Sequence, residues 1–411
     1  MRGDLSEAGY NNGKTRMRAF REGSQAIAEV VSLCKPGVIS AYPITPQTHI
    51  VEGLAQLVAD GKLNSQFVNV ESEHSAASVV LGASATGVRV YTATSSQGLF
   101  LMAEVLFNIA GMRLPVVLTC ANRAISAPIS IWNDQQDSVS LRDSGLIQFY
   151  AENNQEAVDW HLIAYRLAED KNVMLAAMVC IDGYLLTHGI EILDMPEQKE
   201  IDRFLPPYQP AYKLDVEYPL TLGFLADPDY YMETRFAIQE THKEILKFMP
   251  QLFADFSSTF GRNYNFVEKY RLEDAEKVIV AMGSVCGTIK DVVDELRKKG
   301  KKVGLLKIWV LRPFPYQDIY NALKGILKIA VLDRALSLGS FAPLASELRA
   351  LFFGKKKTPK VISSFVAGLG GRDISKESIK QIFRQLNQKE ISGKFIDLKP
   401  ELLQTPLETK T

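Results

Sequence analysis

Between residues 23 and 182, apolar positions switch repeatedly between short continuous runs and longer stretches with helical spacing. Residues 24–35, 46–60, 73–86, 97–111 and 155–169 are predicted as helices, and 38–41, 67–70, 88–92, 114–120 and 173–181 as strands. Gly61 and Gly87 follow the second and third helices, where a left-handed cap closes a helix well. Strands alternating with helices imply a parallel sheet with right-handed crossovers. Beyond Asp182 the pattern weakens. Residues 185–223 hold several prolines and tyrosines and read as an irregular excursion, and 230–257 read as helical. A second alternation begins at Lys277, with strands at 278–282, 302–309 and 326–332 and a helix at 288–299.

This pattern divides the 411 residues into a flexible polar N-terminus (1–15), an α/β domain (16–265), a second α/β domain (266–395) and a tail (396–411). The first domain carries an irregular connector over about 190–265. Lys+Arg and Asp+Glu are both 47, so there is no net charge to attract nucleic acid. No apolar run reaches the roughly 18–20 residues that span a membrane. The N-terminus lacks an apolar signal core, so a cytoplasmic location is expected. Cys34, Cys120, Cys180 and Cys286 form no CxxC pair, and the five histidines show no metal-ligand spacing. Cys120 and Cys180 sit in apolar runs, as small core residues do.

Candidate chemistry follows the predicted strands. Tyr42 and Thr45 come after the first, Glu71 and Glu73 after the second, Thr94 to Gln97 after the third, and Asn122 and Arg123 after the fourth. A parallel sheet gathers all of these at one edge, where open α/β sheets bind ligands. Thr45 also reads as a helix N-cap, with Pro46 at the first helical position. Glu73 reads either as a first-turn carboxylate favoured by the helix dipole or as a carboxylate placed to bind a ring nitrogen; Glu71 is its rival. Arg123 pairs with Asp134 or Asp137, or clamps a substrate carboxylate. Gly283-Ser284 and Gly287 weakly suggest a phosphate-binding turn, without the full dinucleotide pattern. The lysine runs 298–302 and 355–357 read as solvated surface.

Together these residues resemble the alpha subunits of the 2-oxoacid:ferredoxin oxidoreductases. Tyr42-Pro43-Ile44-Thr45-Pro46 is similar to the family signature. Glu71-Ser72-Glu73, Ser95-Ser96-Gln97-Gly98, Asn122-Arg123 through Pro128 and Ile131-Trp132-Asn133-Asp134-Gln135-Gln136-Asp137 follow in order. Leu311-Arg312-Pro313-Phe314-Pro315 and Gly368-Leu369-Gly370-Gly371-Arg372-Asp373 extend the match into the second domain. The pyruvate branch is the most similar. The resemblance implies a thiamine-diphosphate-binding domain of the pyrimidine type, followed by a transketolase C-terminal-like α/β domain. It implies Glu73 as the carboxylate that activates the cofactor, and Thr45, Arg123 and Tyr42 as substrate contacts. Pro43, Ile44, Ser96 and Gln97 are implied beside the cofactor. It further implies beta, gamma and delta-type partner subunits, which hold the diphosphate with Mg²⁺ and the iron–sulfur clusters, and ferredoxin, pyruvate and coenzyme A as reaction partners. The chain itself has no Gly-Asp-Gly diphosphate motif. Other 2-oxoacids (branched-chain, 2-oxoglutarate, oxalate), a non-redox transketolase-type enzyme and a nucleotide-binding interaction module are the alternatives.

Overall fold

The computed structural model describes residues 18–386 and 390–403. The expected N-terminal segment 1–15 lies outside the described residues, as does the end of the expected tail, 404–411. In chain order the elements are β1 (Arg18–Glu22), α1 (Gly23–Leu33), β2 (Val38–Ala41), α2 (Thr48–Ala59), β3 (Gln66–Asn69), α3 (Glu73–Ala85), β4 (Val90–Thr94) and α4 (Ser96–Gly111). There follow β5 (Val117–Asn122), α5 (Gln136–Ser140), β6 (Ile147–Tyr150), α6 (Asn154–Ala168), β7 (Ala177–Asp182), β8 (Ile190–Asp194), α7 (Gln198–Phe204) and α8 (Pro228–Phe260). The remainder are β9 (Val267–Tyr270), β10 (Lys277–Ala281), α9 (Val285–Lys298), β11 (Val303–Ile308), β12 (Val310–Arg312), α10 (Tyr316–Leu323), β13 (Lys328–Asp333), α11 (Pro343–Phe352), β14 (Val361–Val366), α12 (Lys376–Gln385) and β15 (Lys394–Phe395).

Two sheets organise the chain. The first has seven strands in the order β12-β6-β7-β5-β4-β2-β3, and the second six in the order β15-β14-β13-β10-β11-β9. Pairing is parallel except for β12 against β6 and β9 against β11. The strands β5 and β7 are buried throughout, which is why they read as continuous apolar runs. The long helix α8 turns its buried stripe, Ile245, Met249, Leu252 and Phe256, to the core.

The excursion expected to be irregular contains β8 and α7. Among the described residues β8 pairs only with β1, as a two-stranded ribbon, and leaves Ile190 and Ile192 exposed, so burial imposed no strong pattern on it. β4 lies two residues later than expected because Thr92 and Thr94, though polar, are inside the sheet. β14 escaped notice because Ser363 and Ser364 interrupt its apolar run; both are buried, and Ser363 Oγ accepts the Ile391 N–H at 3.1 Å. β12 follows β11 after one residue, Trp309, whose carbonyl takes the Tyr150 N–H at 2.8 Å. The chain thus leaves the second sheet and at once adds an edge strand to the first. All four cysteines are buried and unpaired.

Candidate active site

The elbow after β2 is built from backbone turns. Ile44 O accepts the Gln47 N–H at 2.9 Å, and Gln47 O accepts that of Ile50 at 2.9 Å. The helix α2 therefore starts at Thr48, and Gln47 stands at its cap position without a side-chain cap bond. This corrects the reading of Thr45 as N-cap and of Pro46 as first helical residue, because the turn occupies those positions. Gln47 is fully buried instead, and its Nε2 donates to Tyr42 O at 2.8 Å and Ala93 O at 3.3 Å. Pro46 packs against Gly183, where a Cβ would lie 2.5 Å from Pro46 Cγ and 2.5 Å from Asn122 O. With its base pinned in this way, the elbow leaves Tyr42, Pro43 and Thr45 exposed and Ile44 half-buried.

Glu73 and Glu71 part company. Ser72 caps α3, its Oγ accepting the Ser75 N–H at 3.3 Å. Glu71 is exposed and accepts a hydrogen bond from Ser75 Oγ, which lowers its pKa. Glu73 is 5% exposed. Its carboxylate lies against the first turn of α4, where a Cβ on Gly98 would sit 2.6 Å from Glu73 Oε1 and 2.5 Å from Thr94 Oγ1. Thr94 Oγ1 and Ser95 Oγ are buried without a hydrogen-bond partner among the described residues.

A third group centres on Asp137, which is fully buried in α5. Its carboxylate accepts the backbone N–H groups of Ser96 (3.0 Å), Arg123 (2.9 Å) and Ser138 (2.8 Å), and the Asn122 amide (2.6 Å). Burial nevertheless raises its pKa to about 6. The expected pairing of Asp137 with Arg123 is thus made through the backbone. The guanidinium turns elsewhere, donating from Nη1 to Thr45 O and from Nε to Ser130 O, both at 2.9 Å. It has no carboxylate partner among the described residues, and burial lowers its pKa. Ser96 Oγ donates to Ala124 O at 2.6 Å, and Gln97 Nε2 reaches Ser126 Oγ. The structure therefore joins Thr45 to Arg123, and Ser96 and Gln97 to the 124–126 loop. It shows no direct bond from Glu73 to either group among the described residues.

The second sheet closes one side of this edge. Asp182, at the end of β7, pairs with Arg334 at 2.7 Å and accepts the Ser284 N–H at 2.8 Å. The Gly283-Ser284 turn, weighed as a phosphate cradle, thus already holds a carboxylate from the first sheet. Asp134 accepts the Gly370 N–H at 3.0 Å, and a Cβ on Gly371 would lie 2.3 Å from Trp132 Cβ. Gln47, Asp182 and Arg334 were not singled out from sequence; Gln47 stood inside the signature segment, but no spacing rule marks a residue that hydrogen-bonds two distant carbonyls.

A buried carboxylate beside two unpartnered hydroxyls, packed closely against Gly98, suits a ligand that offers an N–H donor from a flat ring. An aminopyrimidine meets that description, so the donor set fits thiamine diphosphate. A parallel sheet with this site at its carboxyl edge, followed by a second α/β unit, is the arrangement of the thiamine-diphosphate-binding class.

Residues 29–253 match the family described as pyruvate flavodoxin/ferredoxin oxidoreductase, thiamine diphosphate-binding, and 275–379 match the pyruvate:ferredoxin oxidoreductase core domain II. The pyruvate synthase subunit PorA of Methanothermobacter thermautotrophicus is 50% identical over 378 residues, covering 92% of this chain and 97% of its own. That of Thermotoga maritima is 47% identical, over 88% and 92%. The ketoisovalerate oxidoreductase subunit VorA of Pyrococcus abyssi is 43% identical, over 91% and 94%. The solved 2-oxoglutarate:ferredoxin oxidoreductase from Magnetococcus marinus shares the fold, with a TM-score of 0.71 at 19% identity, over 92% of this chain and 67% of that one. The chain belongs to the pyruvate:ferredoxin oxidoreductase family, as a PorA-type alpha subunit. Among the described residues no helix is long and apolar enough to cross a membrane.

Proposed function

We propose that this chain, assembled with partner subunits, converts pyruvate, coenzyme A and two oxidised ferredoxins to acetyl-CoA, CO₂, a proton and two reduced ferredoxins, reversibly. The observation that carries this reading is the burial of Glu73 against Gly98 and Thr94 while Glu71 faces solvent. Glu73 would share a proton with a ring nitrogen of the bound pyrimidine and so set where that proton resides. Thiamine diphosphate, when bound, supplies the electron sink that lets the bond between carboxylate and carbonyl carbon break. Arg123 presents its remaining N–H groups to the substrate carboxylate, with Thr45 and Tyr42 beside it. Pro43, Ile44, Ser96 and Gln97 shape the wall next to the cofactor. The diphosphate with Mg²⁺ and the iron–sulfur clusters are assigned to beta, gamma and delta-type subunits, because this chain lacks the Gly-Asp-Gly motif and spaced cysteine pairs. Phe100, Leu101 and Phe107 are exposed on α4 and suit a covering subunit. The assembled enzyme is placed in the cytoplasm.

Glu73→Ala in the assembled complex is expected to abolish turnover with subunit composition unchanged; wild-type turnover overturns the assignment. Arg123→Ala is expected to raise KM for pyruvate about tenfold or more, as loss of a charged hydrogen bond does, and to leave KM for coenzyme A near its original value. A ketoisovalerate-type specificity is the second reading, favoured by the VorA relative. Comparing kcat/KM across pyruvate, 2-oxoisovalerate and 2-oxoglutarate decides between them.

A further inference from the structure

Three side chains that no sequence spacing joins meet beside the elbow: Glu22 at the end of β1, His49 in the first turn of α2 and His188 in the turn between β7 and β8. One ligand atom from each lies within 4.8 Å of the other two. Glu22 Oε1 stands 2.7 Å from His49 Nδ1, and the rings of His49 and His188 have centroids 4.8 Å apart. Two imidazoles bound to one ion at about 2.1 Å hold their centroids roughly 5 Å apart, so the observed spacing suits a shared ion.

The backbone around the group is stitched in place. Thr187 O accepts the Ser24 N–H at 3.0 Å and Ser24 Oγ at 2.8 Å, and Gly189 O accepts the Gly23 N–H at 3.0 Å. A Cβ on Gly23 would lie 2.0 Å from Leu186 O, so the turn sits directly on the start of α1. Thr187 Oγ1 lies 2.7 Å from His188 Nδ1, which leaves Nε2 as the ring nitrogen for a ligand, and Tyr184 stacks on the same ring at 4.9 Å. Glu22 stands at the cap position of α1 without a cap bond from its side chain, and no lysine or arginine pairs with it among the described residues. In a second group of ligand-type residues, Glu152, Glu156 and Glu268, Lys307 and Lys290 already supply the positive charge. Both histidines beside Glu22 are exposed, so an ion can enter and water can complete its coordination.

We propose that Glu22, His49 and His188 bind one divalent transition-metal ion of the zinc type. Two imidazoles and one carboxylate suit such an ion better than magnesium or calcium, which take oxygen ligands. An ion about 2.1 Å from each ligand brings the three atoms to roughly 3.4 Å of one another, a closure that rotation of exposed side chains supplies. The bound ion ties the start of α1, the helix that follows the Thr45 elbow and the turn carrying Tyr184 into one unit. The site shares no residue with the set assigned to cofactor and substrate and does not depend on the reaction assigned above.

Calorimetric titration of the chelator-washed full chain with Zn²⁺ tests it, with Co²⁺ as a coloured second probe. Wild type is expected to take up one Zn²⁺ per chain, to show the intense visible bands of four-coordinate Co²⁺, and to melt at a higher temperature with Zn²⁺ present. H49A and H188A should each weaken binding about tenfold or more and abolish the Co²⁺ bands, since losing a ligand costs at least what losing its outer-shell partner does. E22Q keeps the shape of the side chain, removes its charge and should also weaken binding about tenfold or more. H74A, which removes an exposed histidine outside the group, should bind as wild type does. A wild type that takes up no Zn²⁺, uptake that survives in H49A and H188A, or uptake lost equally in H74A overturns the proposal.

Discussion

Gly98 matters for what it lacks. A methyl group there would lie within 2.6 Å of both the Glu73 carboxylate and the Thr94 hydroxyl, so Gly98→Ala must displace one of them. Overpacking of this kind costs about 1–3 kcal/mol, and the expected result is a kcat reduced about tenfold or more in a complex that still assembles. Asp137 raises a question of pH. Its folded pKa of about 6 lies above the ordinary carboxylate value, so the native state takes up its proton first as pH falls. This group therefore favours the fold below the ordinary value, and its contribution is lost as pH rises through 6. The site follows the other sign: protonated Asp137 is a weaker acceptor for the Ser96 and Arg123 N–H groups, so kcat/KM for the oxoacid should fall as pH drops through about 6. Asp137→Asn should depress kcat/KM at neutral pH and flatten that limb, because one acceptor oxygen becomes a donor facing N–H groups. Both carboxylates stood in plain view in the sequence. Which one was buried did not, since Glu71 and Glu73 differ only by the turn that Ser72 caps.

The elbow between β2 and α2 shows how an element boundary is set from outside itself. Two prolines and a threonine satisfy every local rule for a helix start at 46, yet the helix waits until Thr48 because Gln47 turns inward to the Tyr42 and Ala93 carbonyls. Gln47→Ala leaves both carbonyls without that donor in a closed site, for an expected loss of about 1–3 kcal/mol in urea denaturation. A rise in KM for the oxoacid should accompany it, because Thr45 O then loses its fixed position against Arg123. Periodicity found the strands buried on both faces, such as β5 and β7, because their apolar runs are unbroken. It missed β1, β6, β8, β9, β12, β14 and β15, which are short, lie at an edge, or hide serines whose partners come from elsewhere in the chain.

Across the whole molecule, the two sheets are joined by charge as well as by chain. Lys307 of β11 is buried and reaches Glu156 at 2.6 Å, with Glu152 and Glu268 also in contact, while Lys290 bridges the latter two at 2.8 and 2.9 Å. Burial alone would lower the Lys307 pKa; the carboxylates of Glu156 and Glu152 outweigh it and raise the value. Lys307→Met should cost about 3–5 kcal/mol, because it strands carboxylates rather than removing a balanced pair. Those carboxylates would then hold protons more tightly when folded, so the loss measured by denaturation should be larger at pH 8 than at pH 5. None of this was legible from sequence, since the partners lie far apart along the chain. The strand β12 has a consequence in time. It reaches its neighbour β6 from about 160 positions later in the chain, a stretch that a ribosome needs roughly ten to thirty seconds to make. Throughout that interval β6 is the bare rim of a nascent sheet, open to pairing with any other emerging polypeptide. A gene cut after codon 265 should therefore yield inclusion bodies, whereas co-expressing residues 266–411 as a separate piece should return part of the product to the soluble fraction.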